Sequence, residues 1–224
     1  MELSNKLIQV RVPSEATTKQ KILSIVAAIA VGVILGIAAK LVDTPAVNPI
    51  FTDVGDRLGI WIFVATLLSV YSYSPQLAAI RIFAFFGSML TVYYVYTTFV
   101  LHFFPGKAIL FWGILAVVSP VCAYIMWYAR GNGWLANIIS ALPVTVLMVE
   151  GFGLRNAYLP VHHHYYLIPW LMGIYLLMIV VLLILLPNKR RRLLSIVPMA
   201  IILSIIMVYF NVLGRIFGGM NGVL

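Results

Sequence analysis

The sequence holds six acidic residues, and one of them, Glu150, falls inside a long apolar run. A carboxylate among lipid-facing side chains is costly unless it is paired or hydrated, so it marks a candidate site by default. Its nearest basic residue is Arg155, and Lys40 at the end of another apolar run is the second candidate partner. With Asp43, these residues (Lys40, Asp43, Glu150 and Arg155) make the candidate contacts for a small solute. An ion pair with no ligand accounts for the same residues equally well.

Other residues suggest different chemistry. Arg81 lies inside an apolar run, and the acids predicted on its side of the membrane, Glu2 and Glu15, both belong to the N-terminal arm. It must snorkel to lipid phosphate, bond backbone carbonyls or meet an acid on a partner, and snorkelling is the expected outcome. His162-His163-His164 cannot all point one way, so no helix-borne metal pair is expected there. Lys189-Arg190-Arg191-Arg192 reads as an anchor on anionic lipid headgroups. It lacks the larger basic surface with stacking aromatics that nucleic acid requires. The single cysteine, Cys122, rules out an internal disulfide.

No H-E-x-x-H, G-x-S-x-G or phosphate-cradling loop is present, and no paired carboxylates fall at helical spacing within a span. The 224 residues also carry no soluble motor domain of the kind that drives an ATP-dependent pump. The sequence therefore predicts no enzyme, no cofactor and no metal site.

The elements that position these residues follow from composition. Hydrophobic residues make up 63% and charged residues 9%, where soluble domains carry roughly 25% charged. A soluble chain of this length could not cover so much apolar surface. A membrane helix needs about 20 apolar residues. Seven runs are candidates, the second of them short: Ile22–Val42, Leu58–Tyr73, Pro75–Leu101, Ala108–Ala129, Trp134–Gly153, Tyr165–Leu186 and Leu193–Gly214. They lack strand alternation, which predicts an all-α polytopic bundle of seven transmembrane helices. Residues 1–21 form a basic arm, 22–214 one bundle domain and 215–224 a short tail.

Charge placement orients the bundle. With the N-terminus inside, the inner segments hold ten basic residues and two acids, and the outer segments five and four. The bias predicts a cytoplasmic N-terminus and an extracytoplasmic C-terminus. Aromatics mark both boundaries: Tyr96, Trp112, Tyr165, Tyr166 and Trp170 outside, and Tyr71, Tyr73, Trp127, Tyr128 and Trp134 inside. Ser74-Pro75 predicts a capped helix start, and Gly131-Asn132-Gly133 a tight turn.

Three further features bear on function. Ser24, Ala28, Gly32 and Gly36 recur at steps of four, which suits close helix approach. That face either packs within the bundle or docks a second membrane subunit, with Ala28, Gly32, Gly36 and Arg81 as its contacts. Pro120 and Pro143 sit at matching depth in consecutive spans and free the carbonyls of Ala116 and Ile139. Two such kinks either open a cavity, as in transporters, or are repaired by Ser119, Ser140 and Thr145.

Gly59-Ile60-Trp61-Ile62-Phe63, Tyr71-Ser72-Tyr73-Ser74-Pro75, Tyr93-Tyr94-Val95-Tyr96-Thr97 and Ala129-Arg130-Gly131-Asn132-Gly133-Trp134 span roughly half the chain. In these stretches it resembles a family of uncharacterised multi-span membrane proteins of Gram-positive bacteria. The resemblance implies a bacterial plasma membrane and no particular chemistry. Small size, basic charge and the Ala28–Gly32 pair are also similar to the substrate-binding membrane subunits of energy-coupling-factor vitamin transporters. Those usually have six spans with both ends inside, where seven are counted here. The expected function is a small-solute binding or permease-type subunit. The other candidate is a non-transporting partner, such as a scaffold, sensor or immunity-type protein, docking through the first helix.

Overall fold

The computed structural model describes residues 11–42, 57–102, 104–157 and 168–217. Every regular element among them is helical: α1 Thr18–Val42, α2 Leu58–Val70, α3 Pro75–Phe99, α4 Gly106–Met126, α5 Trp134–Ala157, α6 Ile168–Leu185, α7 Leu193–Tyr209 and α8 Val212–Phe217. Short 3-10 turns, Trp127–Arg130 and Arg190–Arg192, follow α4 and precede α7. Six helices are long and apolar enough to cross a membrane. The remaining candidate span, α2, has 13 residues, or about 20 Å at 1.5 Å per residue.

Local sequence explains several boundaries. Ser74 is extended and caps α3, its hydroxyl accepting from Leu77 N–H at 3.2 Å, with Pro75 next. That cap separates α2 from α3 and ends the expected Leu58–Tyr73 run at Val70. Gly133 closes the α4–α5 turn with φ 95°, a conformation that Gly adopts without strain.

The helices are apolar on all sides, as lipid requires. Large apolar side chains face outward: Leu23 is 64% exposed, Val117 68% and Ile184 68%. In water such a surface would aggregate. In lipid it is the solvated face.

The described residues form two compact units. One contains α1, the second half of α2, α3 and α4. In it, α1 packs on α3 and α3 on α4. The other contains the first half of α2 and α5 to α8, with α5 against both α6 and α7.

In the first unit the small-residue face of α1 meets α3. Ala28, Gly32 and Gly36 are buried. A Cβ on Gly32 would collide with Ser88 Oγ and Phe85 O, and one on Gly36 would lie 2.7 Å from Met89 O. Ser88 Oγ also donates to Ile29 O at 3.2 Å. The docking role expected for Ala28, Gly32 and Gly36 is therefore corrected, because a helix of the same chain covers them.

In the second unit hydroxyls join α5 to α7. Thr145 Oγ1 donates to Ala200 O, and Ser204 Oγ to Ala200 O and Thr145 O. These groups have partners in the helix pair, as buried polar groups must.

Candidate functional site

Glu150 projects from α5 toward α6 and the start of α2. Tyr175 of α6 donates its hydroxyl to Glu150 Oε2 at 2.7 Å. Backbone N–H groups of Leu58 and Gly59 also donate to the carboxylate, and Arg57 lies within electrostatic reach. Glycine leaves room at this junction for both side chains. A Cβ on Gly59 would lie 2.5 Å from Glu150 Oε2 and 2.7 Å from the Tyr175 ring. Gly151, one residue after Glu150, brings α5 close to the Tyr175 Cβ. The partner found for Glu150 is thus a phenol and a helix start, where the sequence suggested Lys40 or Arg155.

The remaining proposed solute contacts lie elsewhere or outside the described residues. Lys40 Nζ sits 4.6 Å from the centroid of the Tyr93 ring, a cation–π contact. Arg155 falls within α5, but its side chain is not among those described. Asp43 and His162-His163-His164 lie outside the described residues.

The finish of α2 has its own charged partner. Arg81 is 9% exposed, so the expected snorkelling does not occur. Its Nη1 donates to Leu68 O at 3.1 Å and to Ser72 Oγ at 2.8 Å. Burial also removes Arg81 from the surface assigned to a partner. Trp127, expected in the inner aromatic belt, is 1% exposed and donates Nε1 to Ser72 O at 2.7 Å. The main chain of Ser14 bonds Tyr73 O at 3.0 Å, tying the arm to the same turn.

The acid of α5 therefore stands at the start of α2 and the arginine of α3 at its finish. This is the arrangement a helix dipole favours, with negative charge at the N-terminus and positive at the C-terminus. A 13-residue helix is marginal alone, so its two charged ends help to fix it.

Of the two prolines singled out, Pro120 has the expected repair, whereas Ser140 and Thr145 bond carbonyls other than that of Ile139. Ser119 Oγ donates at 2.8 Å to Ala116 O, the carbonyl that Pro120 leaves free. Ser140 donates to Ala136 O and Ala129 O. Pro143 lies within α5. A third proline, Pro198 within α7, was not singled out from sequence, although its type and position were visible there.

The basic turn divides into two roles. Lys189, Arg190 and Arg191 are exposed. Arg192 turns inward, at 9% exposure, and joins Asn137 Oδ1 at 2.7 Å, Gly131 O at 2.9 Å, Ala129 O at 3.1 Å and Ser140 Oγ at 3.4 Å. Its assignment to lipid is therefore corrected, because it bonds the α4–α5 turn instead.

A groove of about 440 Å3 opens between α3 and α4, lined by residues including Leu90, Tyr94, Phe99, Phe104 and Ile109. The Thr91 hydroxyl on its wall is returned to Gly87 O at 2.7 Å. Such a wall suits acyl chains better than a polar solute. No protein-family model matches the chain, and comparison with curated proteins and with solved structures finds no match.

Proposed function

We propose that the protein crosses a bacterial plasma membrane seven times, with its N-terminus in the cytoplasm and its C-terminus outside, and binds a small solute at the outer end of α5. The positive-inside bias supports the orientation. The unbroken apolar sequence of α2 supports the seventh crossing. The helix begins beside Glu150, at the end of α5 remote from the Gly131–Gly133 turn. It runs on to Val70, and just beyond it the Ser72 carbonyl accepts from Trp127 Nε1. Local thinning of the bilayer accommodates a short span.

The observation that carries the solute reading is the Glu150–Tyr175 pair at the start of α2. The carboxylate accepts and Tyr175 can both donate and accept, so the pair suits a solute bearing a protonated amine or several hydroxyls. An incoming donor exchanges with Tyr175 or with an N–H of α2, which links occupancy to the seating of α2. The arrangement fits a binding or permease-type subunit. The non-transporting alternative relied on the α1 face that α3 covers.

Purified protein in mild detergent, screened by native mass spectrometry against pooled amines and polyols, tests the reading. One class is expected to bind, and Glu150→Gln should weaken it by roughly tenfold or more, as loss of a charge-assisted hydrogen bond implies. Equal binding by wild type and Glu150→Gln would reject Glu150 as the contact. A separate expectation concerns Gly59→Val, whose added carbons enter the space of Tyr175 and Glu150. That variant should lose the bound solute and melt earlier, whereas Gly87→Ala, with open space at its Cβ, should do neither.

A further inference from the structure

One end of the unit that holds α5 to α8 gathers cations. Arg130 lies in the turn after α4 and Arg11 lies close enough to feel its charge. Burial and the neighbouring Arg130 bring Arg11 down to about 10. Lys189, Arg190, Arg191 and Arg192 occupy the facing α6–α7 turn. Among the described residues of this unit Glu150 is the one acid. It stands 16 residues along α5 from Trp134, or about 24 Å away at 1.5 Å per residue. That is beyond the roughly 8 Å over which exposed charges act at physiological salt.

The turn is also built to hold its shape. Asn188 Nδ2 donates to Arg130 O at one end, and the guanidinium of Arg192 bonds Asn137, Gly131, Ala129 and Ser140 at the other. Between these pins the main chain makes a 3-10 turn, with Arg192 N–H on Lys189 O at 3.0 Å. Lys189, Arg190 and Arg191, all exposed, are thereby displayed together on an anchored loop. The loop joins two helices of membrane-crossing length, so it lies where headgroups lie. Trp134, 52% exposed at the start of α5, follows the turn to which Arg192 is bonded, and exposed tryptophan favours the same headgroup level.

We propose that this cluster is a preorganised platform for the phosphodiester headgroups of anionic phospholipids, with Lys189, Arg190 and Arg191 as contacts and with Arg192 and Asn188 as positioning residues. Guanidinium groups pair bidentately with phosphate oxygens. Fixing the loop beforehand removes the ordering cost that a mobile basic segment would meet on binding. The platform is independent of the solute site and of which side the loop faces.

Native mass spectrometry of the detergent-solubilised full chain tests it, using phosphatidylglycerol and phosphatidylcholine of equal acyl length. Wild type is expected to retain phosphatidylglycerol over phosphatidylcholine by roughly tenfold or more, given the attraction each cation adds. The Lys189→Gln/Arg190→Gln/Arg191→Gln variant should lose the preference. Asn188→Ala, which keeps every cation, should reduce it. Equal retention of both lipids by wild type, or an unchanged preference in the triple variant, would overturn the proposal. Release of phosphatidylglycerol by millimolar inorganic phosphate would overturn the choice of lipid as partner.

Discussion

Arg192→Leu is expected to destabilise the protein strongly, whereas Arg191→Leu, one residue away, is not. The guanidinium of Arg192 supplies donors to the carbonyls of Gly131 and Ala129 and to the side chains of Asn137 and Ser140. Leucine supplies none, so the buried Gly131 carbonyl loses this donor, while Ala129 O keeps the Ser140 hydroxyl. A stranded buried carbonyl costs roughly 1–3 kcal/mol. Removing the buried guanidinium returns part of this, since its own desolvation disappears. A net loss of about 2 kcal/mol lowers the unfolding midpoint of a chain this size by roughly 4–8 °C. Arg192→Lys is expected to fall between the two, because one ammonium cannot reach four acceptors spread over a turn and a helix. Arg191 is exposed, and its replacement should change stability by no more than about 0.5 kcal/mol. Thermal unfolding in detergent followed by circular dichroism measures all three. Equal midpoints for Arg191→Leu and Arg192→Leu would reject the inward clamp.

Gly32→Leu is expected to force α1 away from α3. Even a single Cβ at Gly32 meets the Phe85 carbonyl, which is backbone and cannot rotate aside, and the same holds for Gly36 against Met89 O. Overpacking of this kind costs about 1–3 kcal/mol when the structure can shift, and more when backbone faces backbone. The interface also loses the Ser88–Ile29 hydrogen bond. Gly113→Leu, at a position with open space, serves as the control. A pair of engineered cysteines across α1 and α3 should crosslink in wild type and fail in Gly32→Leu. Unchanged crosslinking would mean that this face is not the α1–α3 contact.

Long-range hydrogen bonds separate what the sequence revealed from what it hid. The Ser74 cap, the Gly133 turn and the six long spans were legible because each depends on residues adjacent in the chain: a hydroxyl before proline, a glycine with positive φ, an unbroken apolar run. That the second run is short was legible, but its end at Val70 rather than Tyr73 was not, because Arg81 from the following helix bonds that end next to the Ser74 cap. Arg192 was grouped with its three basic neighbours because composition carries no phase. A 3-10 turn points consecutive side chains in different directions, and only one of the four meets the α4–α5 turn.

The Glu150 site was half visible. An acid in an apolar run drew attention, but Tyr175 lies 25 residues away. A usable signal did exist. Tyr175 is a phenol within the otherwise apolar Ile168–Leu185 helix, and Gly59 and Gly151 are the small residues that admit it. Trp127 shows the opposite error. An aromatic near a helix end reads as a belt residue, yet its indole N–H found a buried carbonyl.

Single-cysteine labelling of the two chain ends tests the seven-crossing topology most directly. In a background with Cys122, the single native cysteine, replaced by alanine, Glu15→Cys and Arg215→Cys each introduce one thiol at an exposed position. A membrane-impermeant maleimide is then applied to intact cells. The seven-crossing account predicts labelling of the Arg215→Cys variant from outside, and of the Glu15→Cys variant only after the membrane is opened. Labelling of both variants from the same side would leave α2 short of a crossing, make the number of spans even and contradict the account.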